Sequence, residues 1–150
     1  MEITLYEETQ EIPLRGPLTF LSAAAFFVIP LFTTMPLALI LLMFALGIGM
    51  SYLIRSFMRM HTRVTQITLS FGPTIWTKRY PLAEIEVIGP CDIPFWAGVG
   101  IHGWRNKVYY NMRFGQGLEI KHGQMHFVIG TARAAELQAA LRDAQRSVLP

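Results

Sequence analysis

The longest feature in the pattern of apolar and polar positions is an unbroken apolar stretch of 39 residues, Gly16 to Ile54, with no charged residue and no histidine. A helix of that length spans roughly 58 Å, about twice the ~30 Å hydrocarbon core of a bilayer. Two prolines bracket two threonines near its middle, in the segment Pro30–Pro36. The stretch therefore predicts a hairpin of two membrane helices, Leu18 to about Phe32 and Pro36 to about Ile54.

Two other interpretations of the stretch exist. A cleaved signal peptide is disfavoured, because residues 1–14 contain four glutamates and no lysine or arginine. A re-entrant hairpin that does not cross the bilayer completely stays open as an alternative, because Pro30 weakens the last turn of a short first helix.

Beyond residue 63 the pattern changes to the alternation typical of strands. Val64–Phe71 predicts a strand, and the turn at Gly72-Pro73 leads to a hairpin partner at Thr74–Tyr80. Other predicted extended segments are Ile85–Ile88, Lys107–Met112, Leu118–Lys121 and Met125–Ile129. Apolar residues at helical spacing predict one C-terminal helix with Thr131 as its N-cap; they are Leu137, Leu141, Ala144 and Val148.

Six to seven antiparallel strands closed by one C-terminal helix are the outline of a pleckstrin-homology-like barrel. Four short motifs carry a more specific likeness, namely Pro81–Ile85, Gly98–Ile101, Gly117–Lys121 and Phe127–Thr131. With these motifs the chain resembles bacterial pleckstrin-homology-like (bPH) domain proteins, which are often anchored by two transmembrane helices. The resemblance implies a membrane α-helical hairpin plus an α+β or all-β PH-like barrel. The family pattern often has an arginine after Gly-x-Gly-Ile, where this chain has His102, with Arg105 three residues later.

The chain divides into three segments: a cytoplasmic N-terminal segment at residues 1–16, the transmembrane hairpin with a basic juxtamembrane extension at 17–60, and a PH-like cytoplasmic domain at 61–150. Lysine and arginine are retained on the cytoplasmic side during insertion. Arg15 precedes the hairpin and Arg55 follows it, whereas the turn between the helices has neither residue type. We therefore expect a multi-pass protein of the inner (cytoplasmic) membrane with both termini in the cytoplasm.

Charge is distributed unevenly along the chain. Residues 1–16 carry four acids and one arginine, while residues 55–150 carry twelve Lys/Arg against six Asp/Glu. A basic domain beside a membrane is attracted to anionic lipids. No nucleic-acid partner is expected, because no recognised binding motif organises the scattered basic residues. The single Cys91 permits no internal disulfide, as is usual in a reducing compartment.

The sequence predicts no catalytic, cofactor or metal site, so we expect no enzyme. The glycine pattern of residues 98–103 matches a dinucleotide fingerprint, but it leads to an extended segment rather than to a helix. Glycines in a strand instead indicate a bulge, a tight corner or close backbone approach. His122 and His126 lie on either side of a predicted hairpin turn, where a spacing of four does not place two ligands together.

Three groups of residues are candidates for binding. Arg55, Arg59 and Arg63 stack on one face if the second helix continues; they either determine topology or contact anionic head groups or an acidic partner. An aromatic segment is either an interfacial anchor, a partner-binding edge or part of the core; its residues are Phe95 and Trp96, with Trp104 and Arg105 nearby. Small residues allow close helix packing, against the first helix or another protein; they are Ala45, Gly47, Gly49 and Ser51.

These features predict a non-catalytic, membrane-anchored binding module, an accessory or assembly subunit that docks onto a larger integral membrane protein complex. The alternative is a sensor or binder of anionic lipid head groups at the cytoplasmic leaflet.

Overall fold

The structure, a computed structural model, describes residues 3–12 and 15–148. It contains two apolar helices, a four-stranded sheet, a five-stranded sheet and a C-terminal helix. The helices are α1 (Arg15–Val28), α2 (Leu37–Phe57) and α3 (Ala134–Val148). The strands are β1 (Thr4–Glu11), β2 (Arg59–Thr65), β3 (Thr68–Pro73), β4 (Lys78–Pro81), β5 (Ile85–Ile93), β6 (Gly100–Trp104), β7 (Lys107–Asn111), β8 (Gly115–His122) and β9 (Met125–Gly130).

Helices α1 and α2 form the predicted hairpin. A 3₁₀ turn at Ile29–Leu31 extends α1 around Pro30, and α2 begins directly after Pro36. Both helices are long and apolar enough to cross a membrane. Only 17% of the 18-residue apolar stretch of the first helix is buried, and only 6% of that of the second helix. A core helix of a soluble protein would be mostly buried, so these exposed apolar surfaces favour a membrane environment.

Strand β1 is an element that the sequence analysis did not predict. It pairs antiparallel with β2, with Tyr6 opposite Val64 and Glu11 opposite Arg59. Residues 4–11, which were assigned to a separate N-terminal segment, therefore belong to the four-stranded sheet, whose order is β1-β2-β3-β4. Strand β1 leads into α1, and β2 follows α2. The two ends of the hairpin are therefore joined to neighbouring strands of one sheet.

The single strand predicted at Val64–Phe71 was wrong. The structure has two strands there, β2 and β3, joined by a tight turn at residues 66 and 67. Thr65 closes this turn, because its Oγ1 accepts hydrogen bonds from the backbone N–H groups of Ile67 and Thr68 at 3.4 and 3.1 Å. A threonine thus supplies the turn chemistry that glycine or asparagine more often provides.

The second sheet has the order β5-β8-β9-β7-β6. Its pairs are antiparallel except for β7 and β9, which are parallel. The described residues thus form nine strands rather than the six to seven antiparallel strands predicted. The C-terminal helix is confirmed. The two sheets stay open in the described part of the chain, so closure into a barrel remains a prediction.

Helix α3 covers the core between the sheets. Leu137 and Leu141 on α3 are fully buried, and they belong to one cluster with Phe71, Leu82 and Leu118. The apolar stripe predicted for this helix is therefore confirmed at Leu137, Leu141 and Ala144, and its fourth residue, Val148, lies outside the side chains that the structure describes. The prediction that Thr131 is the N-cap was wrong: the helix begins at Ala134, and the Thr131 hydroxyl instead accepts the N–H of Arg133 in the preceding turn.

Candidate docking surface

Four aromatic side chains lie exposed on the five-stranded part of the domain. Their exposed fractions are 82% for Phe95, 66% for Trp96, 62% for Trp104 and 42% for Phe114. We call these four residues the aromatic patch. They form two pairs, with ring centroids 4.9 Å apart for Phe95 and Phe114 and 6.2 Å apart for Trp96 and Trp104. The interpretation of Phe95 and Trp96 as core residues was therefore wrong. Sequence reasoning missed Phe114, which lies in a different loop, after β7.

Local structure fixes these side chains in place. A 3₁₀ turn, Phe95–Ala97, follows Pro94, and the burial of Ala97 anchors it. The Trp96 ring also contacts the buried Tyr109, with centroids 6.2 Å apart. Trp104 ends β6. The next residue, Arg105, has a φ of 55°, which is unusual for a residue other than glycine. The patch is thus held by a tight turn on each side.

The glycine motif forms a corner that leads into β6. Gly98 and Gly100 have φ values of +70° and +122°, which other residues rarely adopt. The ring of His102 folds back over both glycines, and its Nε2 lies 2.8 Å from the Val99 carbonyl oxygen. The Asn111 side chain donates a hydrogen bond of 2.8 Å to the Gly98 carbonyl. The motif therefore leads to a strand, as predicted, and not to a nucleotide-binding helix.

Strand β6 is an edge strand beside the patch. It pairs with β7 on one side, and no described strand lies on its other side. His102, Gly103 and Trp104 are all exposed. An open edge can accept an extended segment of another chain through main-chain hydrogen bonds, with neighbouring side chains providing specificity.

The ionisable groups behind the patch are paired with one another. Glu119 accepts hydrogen bonds from Lys107 Nζ at 2.8 Å and from His126 Nδ1 at 2.7 Å. Burial raises the pKa of Glu119, but these two hydrogen bonds outweigh burial and bring the pKa below its ordinary value. Burial raises the pKa of the nearby Cys91 thiol, which reduces its thiolate fraction and its reactivity.

The three arginines do not stack on one helical face, because α2 ends at Phe57. Arg55 is the only one of the three on the helix. Arg59 lies on β2 and donates to Glu11 at 2.6 Å, and Arg63 donates to the Thr4 hydroxyl at 2.6 Å. Hydrogen bonds from Arg15 and Arg59 hold the pKa of Glu11 below its ordinary value.

The small residues of α2 face two different directions. Gly47 is buried against α1, where a Cβ would lie 2.9 Å from the Cβ of Phe26. The Ser51 hydroxyl donates to the Gly47 carbonyl. Ala45 and Gly49 are exposed on the opposite face, and nothing lies within 4 Å of a Cβ added at Gly49. Gly47 and Ser51 thus take part in packing within the hairpin. Ala45 and Gly49 are exposed and can contact another molecule.

The histidines do not gather into a metal site. His122 lies 3.2 Å from a Glu84 oxygen, and His126 is bonded to Glu119. Among the described residues no group of three or more His, Cys, Asp or Glu side chains is arranged to hold an ion.

The geometry defines an aromatic surface beside an edge strand. No family model, curated protein or solved structure matches this chain. The resemblance to bacterial PH-like domains therefore stays a prediction, and the functional argument rests on the surfaces described above.

Proposed function

We propose that this protein is a non-catalytic, membrane-anchored binding module that docks onto a larger membrane protein complex as an accessory or assembly subunit. Its hairpin spans the inner membrane, and both sheets lie in the cytoplasm. The partner contributes an extended apolar segment that pairs with β6 and covers the aromatic patch.

The observation that carries this proposal is the exposure of four aromatic rings beside an unpaired strand. Large aromatic side chains left in water are costly, and Trp is enriched among residues that dominate binding energy. The rigid turns that hold the rings reduce the entropy lost on binding. Arg105 and Arg113, both exposed, flank the patch and favour acidic residues at the rim of the partner.

The membrane placement is supported by the two ends of the hairpin. Ile12 donates its N–H to the Met58 carbonyl at 3.3 Å, so the chain enters and leaves the hairpin at adjacent positions. The basic residues lie at this end and not at the turn, Pro30–Pro36. The positive-inside rule therefore favours a cytoplasmic location for the sheets and for both termini.

A lipid-head-group sensor built on three aligned arginines is less well supported. Arg59 already donates to Glu11 and Arg63 to Thr4, so only Arg55 of the three has no ion-pair or hydrogen-bond partner among the described residues. Anionic lipid binding by the whole basic domain remains the alternative function.

Co-purification tests the proposal with matched variants. We expect a membrane protein to co-purify in mild detergent with the full chain, and Gly49→Leu combined with Trp96→Ala to release it. Ile67→Ala is the control, because Ile67 is also exposed, at 50%, but lies in the turn between β2 and β3. The triple Arg→Gln change at residues 55, 59 and 63 should keep the partner if it still inserts correctly.

Two results would count against the docking role. One is retention of the partner by the Gly49/Trp96 variant. The other is release by the triple arginine variant together with loss of binding to anionic vesicles as ionic strength rises, which would promote the lipid alternative. A reporter fused after Pro150 that is active only in the periplasm would overturn the proposed topology.

A further inference from the structure

The helical hairpin contains a groove on one face, separate from the aromatic patch. Its volume is about 520 Å³, within the roughly 300–1,000 Å³ range of ligand sites. Residues from successive turns of α1 line it together with α2; the main ones are Phe20, Ala23, Ala24, Phe27 and Ser51. The hydroxyls of Thr19 and Ser51 both donate to backbone carbonyls of their own helices. The wall of the groove is therefore mostly apolar.

The length of the groove matches one leaflet of a bilayer. It runs along α1 from Gly16 to Val28, which at 1.5 Å per residue is roughly 18 Å. Half of the hydrocarbon core is about 15 Å. One acyl chain of a lipid in the adjacent leaflet thus fits the length and the chemistry of the wall.

A second cavity, of about 320 Å³, opens at the end of the groove nearest the sheets. The two cavities share Gly16, Thr19 and Arg55, so they are continuous. The second cavity is more polar than the groove and is also lined by Glu11 and Arg15. Arg15 and Arg59 both pair with Glu11, and Arg55 lines the same cavity, so the mouth of the groove carries a net positive charge.

Two arginine groups at this mouth lack a counterpart. The Nε–H of Arg15 is buried and has no acceptor among the described residues, although its Nη1 pairs with Glu11. Arg55 pairs with no carboxylate in the described ranges. An unsatisfied buried donor indicates a missing acceptor. Arginine binds phosphate oxygens through several parallel hydrogen bonds.

We propose that the groove and its mouth form a site for one anionic phospholipid, with an acyl chain along α1 and the phosphate at Arg15 and Arg55. This inference depends on the hairpin lying in a membrane and is independent of docking through the aromatic patch. A lipid is favoured over a helix of another protein because the apolar groove ends at a positively charged mouth at head-group depth.

Native mass spectrometry of the full-length protein tests the site. The protein is stripped of lipid by detergent exchange and titrated with dioleoylphosphatidylglycerol or dioleoylphosphatidylcholine. We expect one phosphatidylglycerol to bind at least about tenfold more tightly than phosphatidylcholine, because both lipids offer a phosphate to the arginines but the choline ammonium is repelled by the positively charged mouth. Millimolar inorganic phosphate should not displace it, because phosphate alone cannot fill the groove.

Matched variants separate a defined site from general attraction of a basic protein. Arg55→Gln should remove the preference for phosphatidylglycerol, whereas Arg63→Gln removes the same charge outside the site and should keep it. Ala24→Phe should fill the groove and abolish retention of both lipids. Ala45→Phe adds the same ring at an exposed position of α2 outside the groove and should leave the binding of both lipids unchanged.

The lipid site is overturned by equal binding of the two lipids, by equal effects of Arg55→Gln and Arg63→Gln, or by no effect of Ala24→Phe. It is also overturned if Ala24→Phe releases a co-purifying membrane protein while phosphatidylglycerol binding persists, since the groove would then hold a protein helix. Loss of the partner through Trp96→Ala leaves this result untouched, so the two proposals fail separately.

Discussion

The carboxylate of Glu8 accepts a hydrogen bond from the hydroxyl of Thr131, a residue 123 positions further along the chain. The same carboxylate accepts hydrogen bonds from the Tyr6 hydroxyl and from the Ala132 N–H. Strand β1, which precedes the hairpin, is thereby joined to the turn that begins α3. The strand that connects the sheets to the hairpin is thus held by its backbone pairing with β2 and by the hydrogen bonds of Glu8.

Replacing Glu8 by Gln should destabilise the domain. The new amide NH₂ cannot accept the hydrogen bonds that Tyr6, Thr131 and Ala132 donate to the carboxylate. Each donor left unsatisfied costs about 1–3 kcal/mol. The measurement is the free energy of unfolding of the full-length protein in detergent. Glu7→Gln is the matched control, because the Glu7 side chain is exposed; we expect a change within about 0.5 kcal/mol. Equal losses from the two variants would contradict this role for Glu8.

The same network predicts acid sensitivity. Burial raises the pKa of Glu8, but hydrogen bonds from Thr131, Tyr6 and Ala132 outweigh it, and the net pKa lies below the ordinary value of 4.5. Ionised Glu8 therefore stabilises the fold above that value, and the stabilisation is lost as the pH falls through the folded-state pKa. Melting temperatures are measured between pH 3 and pH 7, a range that brackets the ordinary value. As the pH is lowered, the melting temperature should fall less steeply for Glu8→Gln than for the unmodified protein. Parallel profiles for the two proteins would refute the prediction.

Much of the architecture was predictable because it depends on local periodicity. The hairpin and α3 follow from apolar residues repeated along one segment, and both were found. Strand β1 was missed because its inward positions include Glu8 and Gln10, which are polar. Its partner β2 is also separated from it along the chain by the entire hairpin. A hydrophobic pattern cannot show polar side chains that are satisfied by residues more than a hundred positions away.

The candidate site was only partly predictable for a similar reason. Phe95, Trp96 and Trp104 were candidates from the sequence, which left a core position open as an alternative, and the structure shows all three exposed. Phe114 joins them only through the fold. The predicted helical stacking of Arg55, Arg59 and Arg63 was wrong, because α2 ends at Phe57 and β2 begins at Arg59. In β2 the alternate residues Met60, Thr62 and Val64 are buried.

Packing of the hairpin at Gly47 gives a test of helix orientation. A leucine at this position meets Phe26 and the ring of Phe27 at 2.9–3.1 Å from its Cβ, so the helices must separate. Gly49→Leu adds the same side chain where the surroundings are open. We expect Gly47→Leu to cost about 1–3 kcal/mol of stability and Gly49→Leu to cost little. Thermal unfolding in detergent measures both, and a larger loss from Gly49→Leu would show that the helices pack on another face.

The corner before β6 should tolerate no side chain at Gly100. Its φ of +122° is strained for any other residue, so Gly100→Ala should cost about 1–3 kcal/mol. Gly103 lies on the same strand without a positive φ, and nothing is within 4 Å of an added Cβ. Gly103→Ala should therefore be nearly neutral. Chemical denaturation distinguishes the two variants, and equal midpoints would contradict the described corner.

Site-specific photo-crosslinking tests the docking surface most directly. Benzoylphenylalanine is placed at Phe95 in the aromatic patch or, as a control, at Ile75, which is exposed in the turn between β3 and β4. In intact cells position 95 should give an adduct with one membrane protein, and Trp104→Ala should abolish that adduct. Position 75 should give none. The absence of any protein adduct at 95, or an adduct of equal yield from both positions, would contradict docking through the aromatic patch.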